Sequence, residues 1–258
     1  MQSVKHLARC LSRPGHITAV TPPARPEAVL QQLCSGSSHS SPSSQALCPG
    51  CQDFILNTLD KVYTIPAIKA IVDLNLVPYG NTRVSGDVFT CQHGADECRT
   101  DLFGLCVLDR LGGIGSTIAS EAAYDFFVCM ERADGAPDSA PGCFDSTLGP
   151  KVEFTWEQDI LAKCADDEAQ AAVVQHAGAD ATPADHQFVP WVVIEGSMVD
   201  NPDPLLELIC TAYTGPLPDE CWDVVQKATQ LRKHFGLSQT APLPHWALPS
   251  RLETCAAE

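Results

Sequence analysis

The sequence predicts an α/β fold in which a helix opening on two cysteines and a later strand opening on a proline enclose a cysteine-rich block of helical periodicity. The first observation is Cys48-Pro49-Gly50-Cys51, followed by the apolar run Phe54-Ile55-Leu56. At the first turn of a helix the leading thiol sits beside orphan backbone N–H groups and the positive end of the helix dipole, which stabilise a thiolate. The second thiol lies one turn on, within bonding reach. The other observation is Phe188 to Gly196, where Pro190 opens a short β-branched strand that ends at a glycine turn. The C-x-x-C spacing alone is ambiguous, because it also supplies half of many zinc sites.

Taken in order, a helix is predicted from Cys51 to about Tyr63, stopped or kinked by Pro66. Ile71 to Tyr79 reads as a buried strand next to the one bearing the dithiol, and Val84 to Thr90 as a short extended piece. Helical spacing recurs from Cys98 to Arg110, Ser120 to Arg132 and Glu157 to Ala171. Ala133 to Gly142 and Gly178 to Asp185 are rich in turn formers and read as solvent-exposed loops. Pro204 to Tyr213 reads as a closing helix, with Asp203 or Asn201 placed to cap its start and Gly215-Pro216 ending it. Trp222 to His234 has the pattern of one more amphipathic helix, and Ala241 to Glu258 of a loosely held tail.

The proline strand is similar to that of thioredoxin-like folds, in which the proline is cis and faces the dithiol. The preceding residue, here Val189, then offers its backbone to a substrate strand in the mixed disulfide. The run Cys91-Gln92-His93-Gly94-Ala95-Asp96-Glu97-Cys98, with Asp101 and Cys106, resembles the signature of the gamma-interferon-inducible lysosomal thiol reductases. Every fixed position matches except Asp101, which stands where that family has asparagine. Leu47 to Cys51, Leu76 to Asn81, Cys106 to Asp109, Val128 to Glu131 and Val189 to Val192 agree with it in order and spacing, so that the resemblance covers roughly residues 46 to 222.

The resemblance implies a thioredoxin-like α/β fold, with a cysteine-rich helical insertion at about 91–180 between the C-x-x-C helix and the cis-proline strand. It implies a reductase domain over 46–222 and a C-terminal helix and loose tail over 223–258. Cys48 becomes the exposed nucleophile that attacks a substrate disulfide, and Cys51 the resolving thiol, with Pro190 beside them. Val189, Trp191 and Tyr79 are the residues expected to meet substrate, and His93 is expected to act as a structural donor. Cys91, Cys98, Cys106, Cys129, Cys143, Cys164, Cys210 and Cys221 form structural disulfides, for which 105 connectivities are open. Cys210 and Cys221 are a plausible local pair, whereas Cys10, Cys34 and Cys255 lie outside the family core and leave at least one thiol free or intermolecular. Disulfide-containing proteins are the implied substrates and a small-molecule thiol the reductant, with no metal or organic cofactor.

That family places a β-strand directly before the dithiol, whereas residues 35–45 here have the Ser/Gly-rich composition of a linker. The strand therefore reads as missing, and residues 1–45 as a disordered or mis-assembled extension, unless His16 to Val20 supplies a substitute. Lys5, Arg9 and Arg13 are followed by no apolar run of about 7 to 15 residues, so no signal peptide is visible.

The formal charge of −16, from 32 acidic and 16 basic side chains, argues against nucleic-acid binding. No run of about 18 apolar residues predicts a membrane span. Thirteen cysteines favour an oxidising compartment, lysosomal or otherwise secretory. Two other functions fit the same residues: a disulfide oxidase or isomerase on the same scaffold, since sequence does not fix the reduction potential, or a non-catalytic disulfide-stabilised binding protein or zinc module.

Overall fold

The computed structural model describes residues 46–238 throughout, together with the backbone of two strands, Ala28–Leu33 and Cys255–Ala256. Strand β1 is Ala28–Leu33. Helix α1 (Pro49–Asp53) continues through a π-helical segment, Phe54–Leu59, into α2 (Asp60–Tyr63). Pro66 then starts the short α3 (Pro66–Lys69), a first-turn position where its missing N–H costs nothing. Strand β2 (Val72–Leu76) is followed by the hairpin β3 (Arg83–Ser85) and β4 (Val88–Thr90).

The helical block comprises α4 (Ala95–Arg110), α5 (Thr117–Arg132), α6 (Ala140–Thr147), a π-helical segment Trp156–Ala165 and α7 (Glu168–Asp180). Ser116, Thr155 and Asp167 cap three of these, each accepting the backbone N–H three residues on. Three short strands follow, β5 (Phe188–Val189), β6 (Val193–Ile194) and β7 (Ser197–Met198), then α8 (Leu205–Ala212), α9 (Asp219–His234) and β8 (Cys255–Ala256).

The main sheet has four strands in the order β2-β1-β6-β7. Within it β1 runs parallel to β2 from Ala28 opposite Val72 to Leu33 opposite Leu76, and antiparallel to β6 on its other side. The strand expected to be missing is thus present at an interior position of the sheet. It went unread because the family pattern places it directly before the dithiol, whereas here twelve residues, 34–45, stand between β1 and the first fully described residue. His16 to Val20 lies outside the described residues.

Helix α5 lies on β2, where the Ser120 hydroxyl accepts the N–H of Leu76 at 2.9 Å. Helices α4 and α7 approach closely because Gly178 leaves room: a Cβ there would meet Leu105 Cδ2 at 2.9 Å and Tyr79 Cδ2 at 3.0 Å. Disulfides Cys91–Cys98, Cys106–Cys164 and Cys129–Cys143 tie the helical block together, and Cys210–Cys221 joins α8 to α9.

Two expected exposed loops are largely structured. Ala133 to Gly142 folds into a 3-10 turn and the start of α6, with Gly135 and Ala140 buried, while α7 extends to Asp180 with Gly178 buried. At the start of α8 the Asn201 side chain accepts the N–H of Asp203 at 3.1 Å, a turn ahead of the helix, and no side chain caps its first residues.

Candidate active site

Cys48 is the N-cap of α1, extended at φ −82° and ψ 115°, and its carbonyl accepts the N–H groups of Cys51 at 3.0 Å and Gln52 at 3.1 Å. Pro49 at the first helical position is pre-set for the helix and has no N–H to leave unpaired. The sequence therefore folds locally so that Cys48 stands at the positive end of the helix and Cys51 one turn in. The Val189–Pro190 peptide is cis. Cys48, Cys51 and Val189 form a buried cluster of their own, apart from the main core. Each is 0% exposed.

Cys48, expected to be an exposed nucleophile, is instead fully buried and disulfide-bonded. Cys51 is not its partner, being a free, buried thiol. Beyond the dithiol, β5 is paired antiparallel with β8, with Val189 opposite Cys255 and Phe188 opposite Ala256. The strand edge next to Pro190 that was expected to receive substrate already carries a strand.

The approach to the dithiol is gripped by α4. The N–H of Ala46 donates to Asp101 Oδ1 at 3.2 Å, and the N–H of Leu47 donates to the Glu97 carboxylate. The Gln52 side-chain amide donates to the Ala46 carbonyl at 3.1 Å, and Gly135, at φ 65°, abuts the same carbonyl. Glu97 is held in turn by His93, whose backbone N–H donates to Oε2 at 2.7 Å and whose ring Nδ1 lies 2.6 Å from Oε1.

These carboxyls are unusual for their burial. Glu97 is 0% exposed and burial pushes its pKa up, against hydrogen bonds from His93 and Leu47 that pull it down. Asp101 is driven well above the usual carboxylate range by burial and by the neighbouring Glu97 and Glu131, with Ala46 opposing. Burial raises Glu131 likewise. Asp101 and Glu131 line a small apolar cavity with Ala46, Phe126, Phe127 and Met130.

Of the other residues expected at the site, Trp191 is buried, with its ring edge-on to His186 at 5.8 Å and to Phe188 at 5.0 Å. Tyr79 belongs to the main core, packed where Gly178 and Leu105 meet, and is not part of the dithiol cluster. Burial raises its hydroxyl pKa. The eight cysteines outside the C-x-x-C pair within 46–222 are all paired, as Cys91–Cys98, Cys106–Cys164, Cys129–Cys143 and Cys210–Cys221. His93 donates its backbone N–H to Glu97.

Sequence reasoning passed over the grip itself. Its signal was available: Glu97 and Asp101 are four residues apart, so on a helix they share one face. Gln52 and Gly135 carried no such signal, because their partner is a backbone carbonyl.

Residues 43–147 match the family described as gamma interferon inducible lysosomal thiol reductase. The chain is 32% identical over 196 residues to the gamma-interferon-inducible lysosomal thiol reductase of Carassius auratus, covering 72% of each chain. It is 32% identical over 185 residues to the Mus musculus protein of the same name, covering 69% of this chain and 68% of that one. A gamma-interferon-responsive lysosomal thiol protein of Arabidopsis thaliana is 28% identical over 194 residues, covering 69% of this chain and 72% of its own.

Proposed function

The chain belongs to the gamma-interferon-inducible lysosomal thiol reductase family, and we propose that it reduces disulfide bonds of protein substrates through Cys48 and Cys51 in an acidic, lysosomal compartment. The observation that carries this reading is one cluster: Cys48 at the start of α1, Cys51 one turn on, and Val189 ahead of Pro190. On this reading residues 46–222, with β1 added, form a thioredoxin-like domain carrying a helical insertion at about 91–180. The parallel β1–β2 pair and antiparallel β6 support it.

The Cys48 thiolate attacks one sulfur of the substrate disulfide, forming a mixed disulfide and releasing the other sulfur as a thiolate. Cys51 loses its proton and attacks Cys48 Sγ, so that the mixed disulfide breaks, a Cys48–Cys51 disulfide forms and the substrate leaves fully reduced. Two electrons pass from the dithiol to the substrate, and a small-molecule thiol returns them. The helix start favours the Cys48 thiolate, which matters at acidic pH, where a thiol of ordinary pKa, about 8.5, is almost wholly protonated. The eight paired cysteines have no thiolates to offer a metal, which weighs against a zinc module.

The test is reduction of a disulfide-bonded protein by the pre-reduced chain at pH 5 and pH 7, alongside Cys48→Ser. Turnover persisting at pH 5 and lost in the variant supports the reading. Folded protein without turnover at either pH overturns it.

A further inference from the structure

We infer that Asp101 and Glu131 hold one proton between them through buried water in the cavity lined by α4 and α5, and that this proton keeps the segment ahead of Cys48 seated, so that the two carboxyls are positioning residues whose grip loosens as pH rises. The proton site is argued from its geometry, and its consequence for turnover rests on the proposed thiol-reductase reading.

Three observations converge. First, Asp101 is 4% and Glu131 7% exposed, and both line the cavity. Asp101 Oδ2 and Glu131 Oε2 are buried and have no hydrogen-bond partner among the described residues. Two orphaned oxygens facing one cavity are a defect unless something there bonds to both. The cavity of about 30 Å³ has room for one or two waters, at roughly 10–15 Å³ for each. Such a water needs polar partners, and the wall supplies them: the two carboxyls and the hydroxyl of Thr100, which donates to the Gly135 carbonyl at 2.7 Å and keeps lone pairs to accept with.

Second, no basic side chain lines the cavity. Arg99 and Arg132, close to the pair in sequence, are bound elsewhere, to Asp166 at 2.5 Å and to Asp60 at 2.8 Å. The groups that act on Asp101 are themselves acids: Glu97 on its own helix and Glu131 on α5, with the Tyr79 phenol nearby from the turn after β2. Glu97 has His93 for a partner, and the Tyr79 hydroxyl stays neutral because burial raises its pKa. Two carboxylates in one apolar site repel, and the pair keeps a proton to avoid carrying both charges. That proton also supplies the missing donor: the neutral carboxyl gives its O–H to the water, the water donates to the ionised partner, and both orphaned oxygens are bonded.

Third, the pair is tied to the dithiol segment. Asp101 uses its other oxygen, Oδ1, to accept the N–H of Ala46 at 3.2 Å, and Ala46 is itself part of the cavity wall. Cys48, two residues on, is the N-cap of α1. When the proton leaves, two charges face each other across this wall and are stabilised by admitting more water. The wall yields where it is made of the chain ahead of the dithiol, since the other side is built from residues within α4 and α5. Both carboxyls have raised folded-state pKa values, so the seated form is favoured in acid and loses ground as pH rises through the pair's titration.

The test compares the full chain with the Asp101→Asn/Glu131→Gln double variant, which keeps an acceptor for Ala46 and removes both titrating groups. Infrared spectra in heavy water are expected to show, in the parent, a protonated-carboxyl C=O band that persists above pH 6, where exposed carboxyls are ionised, and that is absent from the double variant. Amide exchange is expected to show the protection factors of Ala46 and Leu47 falling roughly tenfold between pH 5 and pH 8 in the parent and staying level in the variant. The ratio of reductase activity at pH 7 to that at pH 5 is expected to be several-fold higher in the variant than in the parent. No carboxyl band above pH 6, a band that survives in the double variant, or protection of Ala46 and Leu47 that falls equally in both proteins overturns the inference. The spectra and the exchange involve no turnover, so their failure leaves the Cys48→Ser assay to decide the thiol-reductase reading by itself.

Discussion

Asp101 Oδ1 accepts the backbone N–H of Ala46 at 3.2 Å, two residues ahead of Cys48. With Glu97 one helical turn earlier taking the N–H of Leu47, α4 holds the segment that delivers the dithiol to its helix. The acidic half of the CQHG…EC…D run is therefore a positioning device. Its chemistry is hydrogen-bond acceptance inside a buried, carboxyl-rich pocket, and that makes it sensitive to pH.

The folded-state pKa of Asp101 is raised, so this group stabilises the fold below its unfolded value, near 4, and costs stability as pH rises above that. Its Oδ2 is buried and has no hydrogen-bond partner among the described residues. Asp101→Asn keeps the acceptor for Ala46 and removes the titrating group. We expect it to raise stability at pH 7 by about 1–3 kcal/mol, because the folded state no longer holds a carboxyl that ionises more readily in the unfolded chain, with the gain shrinking toward pH 4. Thermal melts at pH 4, 5.5 and 7 check this; a gain independent of pH would count against the buried-carboxyl account.

His186 acts in the opposite sense. Burial lowers its pKa to about 4, against an unfolded value near 6.5, so the unfolded chain takes up the proton first. Its contribution is complete above about pH 6.5 and is lost progressively as pH falls toward 4, by at most about 3 kcal/mol. His186→Gln is expected to flatten the acid limb of the stability profile across that window, measured by denaturant titration at several pH values. A limb as steep as the parent's would show that another group sets it.

Gly135 stands at φ 65° with an added Cβ falling 2.0 Å from the Ala46 carbonyl oxygen. Gly135→Ala has no room to be absorbed by a flexible side chain, because the obstacle is backbone. We expect a loss of about 1–3 kcal/mol or more from overpacking, together with faster amide exchange at Ala46 and Leu47. Gly104→Ala, which would meet Pro78 Cγ at 2.7 Å, serves as the comparison: similar destabilisation, with no change of exchange at those two amides.

The disulfides differ in the loops they close. Cys106–Cys164 spans 58 residues and Cys210–Cys221 spans 11. Chain-entropy arguments assign them about 4 and about 3 kcal/mol respectively, so the paired Cys→Ala variant of the longer loop is expected to lose roughly 1–1.5 kcal/mol more. Equilibrium unfolding of the two double variants compares them directly, and equal losses would mean that native packing outweighs loop closure here.

The sequence by itself determined what depends on local spacing. The C-P-G-C pair at a helix start, the helical block with its six cysteines and the strand after Tyr63 follow from periodicity, punctuation and one specific run of residues, because such signals act over a turn or two, whereas the strand expected to open on Pro190 forms only at Val193–Ile194. What it could not determine is which distant pieces meet. Ala28 to Leu33 carries an ordinary apolar pattern, and its interior place in the sheet exists only through pairing with Val72 to Leu76 and with Val193 and Ile194. Tyr79 ends the expected strand, which stops at Leu76, yet the absence of a Cβ at Gly178, nearly a hundred residues on, leaves room for it in the core. Most consequentially, nothing local to Cys255 announces that it pairs opposite Val189. Backbone hydrogen bonds between strands carry no sequence label, so only the folded chain decides which edge a cysteine reaches.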